Sequence, residues 1–84
     1  MAIFENQDDS PIVKRINKDI TMFYDNIKLV QPKRPFSKQM EEVVELSAMY
    51  ASDARSYLQK KDFYTAFSCI SYAHGLLDAV MKLL

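Results

Sequence analysis

The stretch SAMYASDARSYLQKKDFYTAFSCISYA, residues 47–73, decides the fold. Ahead of its Lys60-Lys61-Asp62 interruption, Ser47, Ala51 and Ala54 recur at steps of four and three. Behind it, Ala66, Ile70 and Ala73 repeat the same spacing. At about 100° per residue, each trio falls on one helical face. Two helices joined by so short a turn must fold back on each other as an antiparallel hairpin. Small residues in the middle of both faces let the helix axes approach to about 8 Å, the low end of the usual range. Lys60 and Lys61 suit the negative C-terminal end of the leading helix, and Asp62 is a good N-cap for the next.

Working outward, the leading helix of the hairpin is expected over residues 37–60. Ser37 is its N-cap, and Glu41 and Glu42 fall in its early turns. Its apolar positions are Met40, Val43, Val44, Leu46, Tyr50, Ala51, Ala54, Tyr57 and Leu58, an arc of roughly 160°. The following helix is expected over residues 62–83. It carries Phe63, Ala66, Phe67, Ile70, Ala73, Leu77, Val80, Met81 and Leu84 on one face. A second strip on it, Cys69, Tyr72, Leu76 and Leu83, is expected to meet the first helix in part, and what is left over is a candidate interface.

Upstream, Ser10-Pro11 is a cap followed by proline at the first helical position, with Asp8 and Asp9 just ahead. Ile12, Val13, Ile16, Ile20, Phe23, Tyr24, Ile27 and Val30 then fill a stripe roughly 120° wide, giving a helix over residues 10–30. Met22 and Leu29 fall outside it. Pro32 and Pro35 end this helix, and each should push the residue before it, Gln31 and Arg34, into extended geometry. The chain thus reads as one all-α domain over residues 1–84, a three-helix bundle built on an antiparallel hairpin.

Composition narrows the functional classes. A chain of 84 residues has a marginal core and needs reinforcement. One cysteine excludes an internal disulfide, and one cysteine with one histidine is too few for a structural zinc site. Regular helix packing and self-association remain. With 11 basic and 11 acidic residues, no net field draws the chain to nucleic acid, which is not expected as a partner. No apolar run approaches the roughly 18 residues of a membrane span, so no membrane role is expected. MAIFENQDDS lacks the basic and apolar regions of a signal peptide, and the expected location is cytoplasmic.

Residues 50–79 resemble the family called domain of unknown function 357. The resemblance rests on Tyr50, Asp53, Ala54, Tyr57, Leu58, Asp62, Ala66, Phe67 and Ile70, then on the run Tyr72, Ala73, His74, Gly75, Leu77, Asp78 and Ala79. The likeness of the first helix is limited to its amphipathic character. Lys61 stands where a glycine is expected in the family's turn, which raises the backbone demand there. The resemblance implies a small helical domain of archaeal, cytoplasmic origin, and implies no reaction.

Four polar residues invite a functional reading. His74 and Asp78 are one turn apart on one helix, and Asp78 could orient the imidazole for binding or proton transfer. Tyr50 and Asp53 are candidate partners across the hairpin. The plainer reading is a histidine held by such partners to tie the bundle together. Gly75 in mid-helix costs about 1 kcal/mol against alanine. It is read as a helix-contact residue alongside Ser47, Ala51, Ala54, Ala66 and Ala73. No catalytic residue is assigned, and no cofactor or metal is expected; Cys69 reads as an inert packed thiol. The resulting expectation is a non-enzymatic helical module that binds another protein or a second copy of itself as a dimer. The alternative is a ligand-binding or catalytic domain using His74 and Asp78.

Overall fold

The computed structural model describes residues 10–33 and 36–84. Three helices account for nearly all of it: α1 (Pro11–Val30), α2 (Lys38–Gln59) and α3 (Phe63–Leu83), with a short 3-10 turn at Gln31–Lys33. Each helix begins where a side-chain oxygen takes up one of its free N–H groups. Ser10 accepts from Val13 N at 3.4 Å, Ser37 from Met40 N at 3.1 Å, and Asp62 from Thr65 N at 3.2 Å. Asp8, Asp9, Arg34 and Pro35 lie outside the described residues.

The turn between α2 and α3 is a Schellman motif. The N–H of Asp62 donates to the carbonyl of Tyr57 at 3.0 Å, and that of Lys61 to Leu58 at 3.0 Å. This closure needs one residue in the left-handed region, and Lys61 supplies it at φ 64°. The missing glycine is therefore a real backbone cost, borne by a lysine.

At the other junction the expectation of an extended Gln31 is corrected. Gln31 is helical (φ −50°, ψ −45°), and its N–H donates to Ile27 O. Pro32 disfavours that geometry without forbidding it, and the bond to Ile27 extends α1 into the 3-10 turn.

α2 and α3 form the tightest pair, and α1 lies across one side of their hairpin, more on α3 than on α2. Ser47, Ala51, Ala54, Ala66 and Ala73 are all fully buried along the hairpin seam. Ser47 is tolerated there because its hydroxyl donates to Val44 O at 2.6 Å within its own helix. α1 adds Ile16, Ile20, Phe23 and Val30, and α3 adds Ile70, Leu77 and Val80, to one continuous core. At the α1–α2 contact the Arg55 guanidinium sits 5.4 Å from the centre of the Tyr24 ring, and Tyr24 meets Phe23 edge-on at 5.3 Å.

Gly75 departs from expectation. It is exposed, and a Cβ built there meets nothing within 4 Å. It is not a helix-contact residue of the bundle. Its place in the wheel, about 140° from Ile70, turns it away from both neighbouring helices.

Candidate functional site

His74 is the only histidine, and its position follows from the α3 wheel. It lies on the flank of the buried face that α1 covers. Its Nε2–H donates to the backbone carbonyl of Asp19 on α1 at 2.7 Å. Phe23 meets the imidazole edge-on, with ring centres 5.9 Å apart. Beside it, Arg15 Nε lies 3.1 Å from Asp19 Oδ2, and the Arg15 guanidinium sits 5.6 Å from the Phe67 ring centre. Arg15, Asp19, Met22, Ser71, His74 and Asp78 line one open depression between α1 and α3.

The structure brings some sequence candidates together and separates others. His74 and Asp78 share the depression, but the hydrogen bond of His74 goes to Asp19 and not to Asp78. Tyr50 and Asp53 do not face His74. Tyr50 packs against Tyr72 with rings 4.7 Å apart at 77°, in a hollow with Ser68 and Cys69. The antiparallel hairpin does bring Tyr50 level with this part of α3. However, Tyr72 and His74 are two residues apart and so point about 200° apart around the helix. The tyrosine pair therefore lies on the side of the hairpin away from α1, and the imidazole on the side that α1 covers, so the expectation that part of the strip with Cys69 and Tyr72 meets the first helix is corrected: α1 meets the His74 flank instead.

Cys69 shares the tyrosine side. Burial, and then the carboxylates of Asp53 and Asp62, push its thiol above the ordinary range. A raised pKa leaves little thiolate near neutral pH, so Cys69 is a poor nucleophile. Among the described residues, no group of three or more His, Cys, Asp or Glu side chains could hold a metal ion.

Asp19 and Arg15 were missed by sequence reasoning. Their spacing of four gives a signal for an ion pair on one helix face. Nothing in a sequence marks which backbone carbonyl a distant histidine will reach.

The architecture defines a small all-α three-helix bundle in which a histidine ties the outer helix to the hairpin. A family model, described as a protein of unknown function (DUF357), matches residues 18–83. The chain belongs to the DUF357 family. The match takes in α2, α3 and most of α1, and so both Asp19 and His74, which is wider than the C-terminal resemblance alone. No curated protein matches the chain.

Proposed function

We propose that this chain is a small non-enzymatic interaction module of the cytoplasm, and that it works by associating with a second copy of itself. The observation that carries this reading is the uncovered side of the hairpin. α1 fills one groove between α2 and α3, and no described residue fills the other. Leu46, Tyr50, Cys69, Tyr72, Leu76 and Leu83 follow that second groove by helical period, with Tyr72 51% and Leu83 74% exposed. A small core gains stability when such a face is buried in a symmetric pair.

A coupled association has a thermal signature, because mass action stabilises the associated state. The melting temperature is expected to rise across a hundredfold increase in protein concentration. A midpoint that stays fixed over that range would count against the reading.

The second reading, ligand binding at His74 and Asp78, is favoured only by the polar depression they share with Arg15 and Ser71. It ranks lower because the Nε2 of His74 is already engaged by Asp19. The two readings separate on His74→Ala. A structural tie predicts lost stability, whereas a ligand site predicts an unchanged melting temperature with loss of binding in a metabolite screen. No described helix is long and apolar enough to cross a membrane.

A further inference from the structure

α1 and α3 start at the same end of the bundle. Ile12 of α1 and Phe63, Tyr64 and Phe67 of α3 line one half-open, almost wholly apolar hollow there, with a volume of about 370 Å³. The Arg15 guanidinium lies over Phe67, 5.6 Å from its ring centre. Tyr64 is 91% and Ile12 40% exposed, so apolar surface is left open here in one place. The volume is at the lower end of the range for binding pockets, which suits a single aromatic or branched side chain and not a helix.

The chain itself supplies such a side chain close by. Residues 1–9 lie outside the described residues, and they join the bundle at Ser10, two residues before Ile12 in the wall of the hollow. Their sequence, MAIFENQDD, gathers its apolar side chains at positions 1–4 and follows them with five polar residues. Phe4 is six residues from Ser10, a reach of at most about 20 Å. Packed helix axes are about 8–10 Å apart, so both walls of the hollow fall within that reach.

Charge agrees with this placement. The half of the bundle around the hollow, residues 10–19 and 53–67, carries six basic side chains, at Lys14, Arg15, Lys18, Arg55, Lys60 and Lys61. Its acids are Asp19, Asp53 and Asp62, which leaves a balance of three positive charges. The other described residues carry four basic and five acidic side chains, so the excess is confined to this end. Glu5, Asp8 and Asp9 are the only charged side chains in segment 1–9, and their three negative charges match it.

We infer that segment 1–9 folds back over the starts of α1 and α3 and seats Phe4 in the hollow of Ile12, Phe63, Tyr64 and Phe67. Glu5, Asp8 and Asp9 then lie at the basic end, against the positive ends of two helix dipoles. A side chain joined to the hollow by so short a connection meets it at an effective concentration of about millimolar, ahead of a free partner at micromolar concentration. The hollow shares no residue with the one at Tyr50, Ser68, Cys69 and Tyr72, so this docking does not rest on self-association.

The chain has no tryptophan, so Phe4→Trp gives the full-length protein a single fluorescent reporter on the segment. Its emission is expected to lie to the blue of the same protein in urea, and to stay there through a hundredfold dilution. Emission at the urea position overturns the docking. A blue shift lost on dilution overturns it too, because the segment then sits on another copy. A double-mutant cycle keeps the native phenylalanine as its reference. Phe4→Ser is expected to lower the folding equilibrium constant about 5- to 30-fold, read by urea denaturation. In the background of Tyr64→Ser, an exposed position, the same change should cost at least about threefold less. Additive effects of the two substitutions overturn the assignment to this hollow, whatever the tryptophan reports.

Discussion

His74 on α3 donates from Nε2 to the backbone carbonyl of Asp19 on α1 at 2.7 Å, across 55 residues of sequence. Asp19 lies inside α1, so its carbonyl already serves the helical ladder. The imidazole adds a second bond and packs its ring against Phe23. It thus fixes how α1 docks on the hairpin. His74→Ala leaves no orphaned carbonyl, so the expected loss is moderate, about 1–2 kcal/mol from one hydrogen bond and one ring contact. Chemical denaturation measures it. An unchanged midpoint would show that the tie contributes nothing to the folded state.

Gly75→Ala is expected to stabilise the chain by about 1 kcal/mol, the helix-propensity difference, because the new methyl meets open space. A raised melting temperature checks this. A lowered one would reveal a close contact at Gly75 that the single chain does not contain.

Lys61 holds the left-handed corner of the α2–α3 turn at φ 64°. Glycine adopts that geometry without a Cβ clash. Lys61→Gly should raise stability by about 0.5–1 kcal/mol, after its greater unfolded-state freedom offsets part of the relieved strain. A loss of stability would show that the lysine side chain outweighs its own backbone cost.

The hairpin seam admits no added volume. Ala51→Leu places a branched side chain at a fully buried position between α2 and α3 and should cost about 1–3 kcal/mol or more. Ser47→Ala, one turn away, should be nearly neutral, because the hydroxyl bonds only within its own helix. A large loss for Ser47→Ala would contradict this reading of the seam.

Cys69 should alkylate more slowly than a free thiol at pH 8. Its pKa is raised by burial and by Asp53 and Asp62, which lowers the thiolate fraction. Asp53→Asn removes one of these causes and should speed the reaction with iodoacetamide. Equal rates for the two proteins would show that Asp53 does not act on the thiol.

Much of this architecture was legible in the sequence because its signals are local. Ser10, Ser37 and Asp62 announce helix starts through their own side chains, and each caps where expected. The seam was legible because Ser47, Ala51 and Ala54 repeat at helical spacing, as do Ala66 and Ala73 with Ile70. The polar site was less so. The level of Tyr50 against α3 follows from the hairpin, but its side of the hairpin depends on azimuth, and Tyr72 claimed it instead of His74. The partner of His74 is a backbone atom on another helix, which no residue type encodes. Gly75 shows the same limit from the other direction. A small residue in mid-helix signals close approach only when a neighbour lies on its side.

A second copy covering the open side of the hairpin would make the particle in solution a dimer. Its most direct test is solution mass by light scattering across a dilution series of the full chain. The mass expected is twice the 9.8 kDa of one chain, holding through the micromolar range. A mass of 9.8 kDa at every concentration, up to the millimolar range, would contradict it.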